Sequence, residues 1–180
     1  SFEQITFDPD DFISIFNFNQ SASLCFNIKD QFLYVLKQYT NNNSKHEISF
    51  YTNFNNKSPF ISKCYGIIEK NEHNGPITIV LEYIDGEKLE EFFKIDHKKN
   101  DKMRIILELM LSLEFLHIND IIYRDLKFDN ILIDTKGNAI LIDFDQAKKI
   151  DGSIMTGNIG KNEFVSPEQF STNDYSLKTD

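Results

Sequence analysis

The sequence predicts an α+β chain in two lobes, a strand-rich part followed by a helical part. The first third consists of short apolar and aromatic runs separated by Asn, Ser and Asp. After Asn100 the apolar residues recur instead at three and four positions, the period of a helix. Between these patterns, "YIDGEK" (83–88) reads as a hinge, so domains are expected over residues 1–84 and 85–180.

In chain order, "FISIFNF" (12–18), "LCFNI" (24–28) and "FLYVLKQY" (32–39) read as strands. The Asn-rich "TNNNSK" (40–45) is a polar loop, and "KHEISFYTNF" (45–54) is a short helix with Ile48, Tyr51 and Thr52 on one face. A second Asn-rich loop, "NFNNKS" (53–58), leads to strands "CYGIIEK" (64–70) and "ITIVLEYI" (77–84), joined by the turn signal "NEHNGP". Met103, Ile106, Leu107, Met110, Leu113 and Leu116 then mark an amphipathic helix ending near His117. "ILID" (131–134) and "AILID" (139–143) form a strand pair around "TKGN".

With 180 residues, 41% hydrophobic and 26% charged, the chain can bury one or two cores and is too apolar to be disordered. No run of eighteen apolar residues exists, and the acidic start "SFEQITFDPDDF" lacks the order of a signal peptide, so no membrane segment is expected. Cys25 and Cys64 have no metal spacing and read as reduced thiols of a cytoplasmic protein. A net charge of −9 argues against nucleic acid as partner and mildly favours a cationic one.

The stretch "IIYRDLKFDNILID" (121–134) packs ionisable side chains between two apolar runs. A strand core has no use for them, but phosphoryl transfer does. That reaction needs a carboxylate to orient and deprotonate the attacking hydroxyl, oxygen ligands for Mg²⁺, and cations against the phosphate oxygens. Asp125 is the candidate base, Lys127 the cation and Asn130 a neutral oxygen ligand; Asp143, in "DFD", is the anionic ligand. A neutral Asn adds an oxygen to such a site without further anionic repulsion.

"YRDLKFDN", "LIDFDQAKK" and "VSPE" together resemble the catalytic loop, the D-F-G segment and the A-P-E segment of eukaryotic protein kinases. Lys127 resembles the serine/threonine branch. The resemblance implies a two-lobed protein-kinase-like fold with an antiparallel-sheet N-lobe and a helical C-lobe, MgATP as the nucleotide and a protein as the substrate. It makes Lys37 of "YVLK" the partner of the α- and β-phosphates and Glu47 its ion-pair partner. Leu81 stands at the gatekeeper position, the backbone of Glu82 and Ile84 would bind adenine, Asp85 or Glu87 would reach the ribose, and Leu132 completes the ATP-contacting set. Glu168 would hold the activation segment, where Ser153 and Thr156 lie; Arg124 would pair with a phosphate on Thr156. Asp129 would face a substrate Arg, giving a preference for substrates basic around the acceptor.

Three positions depart from that pattern. "IFNFNQSASLCF" (15–26) has no glycine where kinases have a glycine-rich loop; Asn tolerates positive φ, so a working loop with a weaker grip on ATP is expected. Asp145 replaces the Gly of D-F-G, adding a carboxylate beside the metal site, and Val35 replaces the Ala of V-A-I-K, crowding the adenine side. "YSLKTD" resembles the start of the large lobe's central helix, so the C-lobe is expected to be incomplete, with exposed apolar surface. The departures keep a second reading open, a pseudokinase acting as an ATP-binding or scaffolding module. A small-molecule phosphotransferase is a third, more distant one.

Overall fold

The computed structural model describes residues 7–39, 44–69, 77–150 and 180. The chain divides into two compact units, one of residues 1–57 and 62–84, the other of residues 58–61 and 85–180.

The first unit is built on a five-stranded antiparallel sheet. Its strands are β1 (Phe12–Asn17), β2 (Ala22–Asn27), β3 (Leu33–Tyr39), β4 (Cys64–Glu69) and β5 (Ile77–Glu82), in the order β1-β2-β3-β5-β4. The β2–β3 turn explains a buried polar residue. Asn27 is 2% exposed because its Oδ1 accepts the N–H groups of Lys29 and Asp30, and Gln31 closes the turn with a φ of 63°. One sheet face carries Tyr34, Ile68 and Val80, packed with Phe7, Phe12, Leu36 and Tyr65. The register puts Ala22, Leu24, Val35, Lys37, Ile79 and Leu81 on the opposite face. Ile79 has no solvent exposure, a burial that stabilises by about 1.5–3 kcal/mol.

Helix α1 (Ser44–Phe54) buries Glu47, Phe50 and Tyr51, with Phe54 half-buried, at helical spacing. The expected face held Thr52. Instead Thr52 is exposed and its hydroxyl donates to the carbonyl of Ile48, because polar Glu47 takes the inward position. Tyr51 bonds Ser62 through its hydroxyl, and Asn55 clasps both the N–H and the C=O of Cys64, tying the end of α1 to β4. Burial pushes the Cys64 thiol up to about 12. Cys25 is buried as well.

The second unit contains β6 (Gly86–Lys88), α2 (Leu89–Lys94), α3 (Lys99–His117), β7 (Ile121–Ile122), β8 (Ile131–Asp134), β9 (Ala139–Leu141) and β10 (Lys148–Lys149). A three-stranded sheet runs β6-β8-β9, and β7 pairs with β10, all antiparallel. Gly86 is required at its place, since a Cβ there would sit 2.0 Å from the carbonyl oxygen of Ile133.

Helix α3 buries only the C-terminal end of the expected stripe, at Leu116 with Leu113 half-buried. Ile105, Glu108, Ser112 and Leu116 are buried, whereas Met103, Ile106, Leu107 and Met110 are 44–60% exposed. The reason is a long-range contact: the Glu108 carboxylate accepts the N–H of Ala139 at 2.7 Å, turning that face toward β9. Exposed apolar side chains of the second unit lie on this helix and also at Phe93, Ile95, Ile118 and Phe128.

Candidate active site

Strand β7 is two fully buried isoleucines, and the chain leaves it through Tyr123 and Arg124, whose N–H groups both donate to the Asp180 carboxylate at 2.7 and 2.8 Å. The Asp180 side chain is 1% exposed and also meets His117 Nε2 at 3.1 Å. Arg124 has a φ of 70° and Asp143 one of 64°, left-handed conformations that strain a residue with a Cβ and persist only where the surroundings hold them. Among those surroundings, the Arg124 Nε donates to the carbonyl of Gln146 at 2.7 Å.

A 3-10 turn over Phe128–Asn130 brings Asn130 back onto Asp125. The Asn130 amide donates from Nδ2 to the Asp125 carbonyl at 2.9 Å and to its Oδ2 at 2.8 Å. Lys127 Nζ bonds the same Oδ2. Asp143 follows β9, and the carboxylates of Asp125, Asp143 and Asp145 approach within 4.8 Å of one another. Three acids so close repel one another, and a divalent cation relieves that repulsion. With Nδ2 committed to Asp125, Asn130 has only its Oδ1 to offer a cation. The carboxylates of Asp125, Asp143 and Asp145 are an all-oxygen donor set, the kind Mg²⁺ takes. Beneath it Phe144 is fully buried against Tyr123, ring centroids 5.4 Å apart. Burial first, then the charges of Asp143 and Asp125, hold the Tyr123 hydroxyl far above its ordinary range. It therefore stays a neutral donor, to the carbonyl of Ile142.

In the first unit, Lys37 Nζ and Glu47 Oε2 form an ion pair at 2.9 Å, with Glu47 fully buried. Val35 lies between Leu24 and Leu81 in the sheet register. The Glu82 N–H donates to the carbonyl of Lys63, and its carboxylate meets the N–H and Nζ of the same lysine. The backbone N–H and C=O of Ile84 make no hydrogen bond among the described residues. In the second unit, the Asp85 carbonyl accepts the N–H of Thr135, leaving its carboxylate exposed, while Glu87 and Leu132 are half-buried on the neighbouring strands β6 and β8.

Asp129 does not stand open: its Oδ1 meets Lys88 Nζ at 2.8 Å. Ser153, Thr156 and Glu168 lie outside the described residues. At the glycine-free turn, Asn17, Asn19 and Ala22 fall at the G-x-G-x-x-G spacing. None of them takes a positive φ; the Asn19 side chain shapes the turn instead. That role, the Lys88–Asp129 pair and the clasp made by Asp180 escape sequence reasoning. Only Asp180 left a signal, its place in "YSLKTD".

The protein kinase domain family model matches residues 18–180. The chain is 33% identical over 130 residues to the protein kinase C-like 1B of Caenorhabditis elegans, covering 69% of this chain and 18% of that protein. It is 30% identical over 132 residues to the RAC-beta serine/threonine-protein kinase of Mus musculus, covering 70% and 26%. With the cAMP-dependent protein kinase type 3 of Saccharomyces cerevisiae it shares 32% identity over 124 residues, covering 68% and 30%. The chain thus spans less than a third of the length of these relatives. Among solved structures, a chain of the yeast RNA Pol II CTD kinase CTDK-1 complex superposes with a TM-score of 0.80 over 99% of this chain and 60% of that one. At 23% identity that likeness is one of fold. With 163 of its 180 residues inside the family model, the chain belongs to the protein kinase family.

Proposed function

We propose that this chain carries the catalytic residues of an ATP-dependent protein serine/threonine kinase, which moves the γ-phosphate of MgATP to a protein hydroxyl. The reading rests above all on one observation: the Asp125 carboxylate is bonded by both Lys127 and Asn130 and lies within 4.8 Å of Asp143.

Asp125 orients the attacking hydroxyl and takes its proton as the new O–P bond forms and the bond to the leaving β-phosphate oxygen breaks. Lys127 passes from Asp125 to the oxygens of the transferred group. Asn130 Oδ1 and Asp143 hold Mg²⁺, which when bound neutralises the phosphate oxygens. Lys37, fixed by Glu47, takes the α- and β-phosphates. Adenine is held by the Ile84 amide and the Glu82 carbonyl with Leu132 against the ring, and Asp85 or Glu87 reaches the ribose. Asp129 exchanges Lys88 for a cation of a basic substrate, in keeping with the net charge of −9. The buried thiols are compatible with the cytoplasm as the place of work.

The test is phosphate transfer from labelled MgATP to a basic Ser/Thr peptide. Asp125→Asn is expected to lower the rate by about 10²- to 10⁴-fold. Equal background transfer by folded wild type and variant would refute the enzyme reading. The glycine-free turn and Asp145 favour the second reading, a pseudokinase that binds nucleotide without turnover. For that reading MgATP raises the thermal midpoint while no phosphate moves.

A further inference from the structure

The turn between β1 and β2 is where a kinase of this family offers backbone N–H groups to the triphosphate. Here those donors are taken from within. Asn19 Oδ1 accepts the N–H of Ser21 at 2.8 Å, the N–H of Ala22 at 2.8 Å and the Ser21 hydroxyl at 3.0 Å. The N–H groups of Phe18 and Asn19 both go to the carbonyl of Ala22, at 3.0 and 3.3 Å. Of the turn's amides only that of Gln20 makes no hydrogen bond among the described residues. The turn is also tied down onto β3, because Gln38 donates its N–H to the Ser21 carbonyl at 2.7 Å. One neutral side-chain oxygen thus does for three donors what a phosphate oxygen would do.

We propose that Asn19 is an internal stand-in for the nucleotide's phosphate, withholding the Ser21 and Ala22 amides so that a triphosphate must displace its side chain to be gripped by the turn. This rests on the reading of the chain as an ATP-binding kinase and adds a residue that sets nucleotide affinity. The chemistry gives it direction. A phosphate oxygen carries charge and makes stronger hydrogen bonds than an amide carbonyl, so displacement is feasible but is opposed by the bonds broken. Adenosine, lacking phosphates, is indifferent to Asn19.

The experiment measures binding of MgATP and of adenosine to the 180-residue chain by calorimetric titration, for wild type, Asn19→Ala and Asn19→Asp. Asn19→Ala frees the amides and is expected to tighten MgATP about tenfold, the scale of one to two net hydrogen bonds. Asn19→Asp keeps the cap, adds a negative charge and is expected to weaken MgATP. Adenosine should bind all three proteins alike, which also shows that each is folded. If adenosine binds all three alike and Asn19→Ala leaves MgATP affinity unchanged or lower, the inference is overturned and the ATP-binding reading stands. If no protein binds either compound, both are overturned together.

Discussion

Removing Lys37 should injure the first unit more than removing Glu47. The two form a 2.9 Å pair, but Glu47 has no side-chain exposure while Lys37 retains 13%. Lys37→Met takes the cation from a carboxylate that no water reaches, a change that typically costs about 3–5 kcal/mol. Glu47→Leu leaves an ammonium on a flexible stem with a route to solvent, so its cost should fall at or below the lower end of that range. The double variant Lys37→Met/Glu47→Leu removes both charges and should be less destabilised than Lys37→Met alone, with a coupling of about 1–3 kcal/mol. Urea denaturation followed by tyrosine fluorescence suits the measurement. The chain has no Trp, and five of its seven tyrosines (Tyr34, Tyr39, Tyr51, Tyr65 and Tyr83) lie in the first unit. Single variants that each cost under about 1 kcal/mol and add without coupling would show that burial of the pair has been misjudged.

Other perturbations address the second unit. Gly86→Ala places a methyl 2.0 Å from the Ile133 carbonyl oxygen, so β6 must move off β8; a fall of several degrees in the thermal midpoint is expected, and an unchanged midpoint counts against this close approach. Asp180→Ala strands the N–H groups of Tyr123 and Arg124, at about 1–3 kcal/mol for buried donors left unpaired, and should raise hydrogen exchange at those two amides. Asp134 is pushed up by burial but pulled down further by the N–H and amide donors of Asn138 and the N–H of Lys136, leaving its folded pKa below 3.8. It therefore adds stability above 3.8 that is lost as pH falls through the folded pKa. The urea midpoints of wild type and Asp134→Ala should converge in acid, and a gap that widens there would reverse the assigned sign.

The legible parts of this protein were those written in local pattern. Strands β1 to β5 follow from β-branched and aromatic runs bounded by polar turns, because a pleated strand selects such residues over five or six positions. The loop from Asp125 to Asn130 was legible because chemistry demands particular groups at particular spacing, and a 3-10 turn converts five residues of separation into a direct hydrogen bond. The departures from the family pattern were visible as missing glycines, but not their consequence: nothing in "NFNQSA" says that the Asn19 carbonyl will gather three donors.

By itself the order of residues determined strands β1 to β5, β8 and β9, helices α1 and α3, and which side chains carry reactive groups, since these depend on neighbours within a few positions, whereas the short β6, α2, β7 and β10 did not show in it. Only the tertiary structure decided which way those elements face. Helix α3 has an apolar stripe at Met103, Ile106, Leu107 and Met110, yet it turns Glu108 and Ser112 inward. A buried backbone N–H at Ala139 needs an acceptor, and an unpaired polar group inside costs more than an apolar side chain left in water. That need arises from a partner thirty-one residues away in the chain, which no local periodicity records.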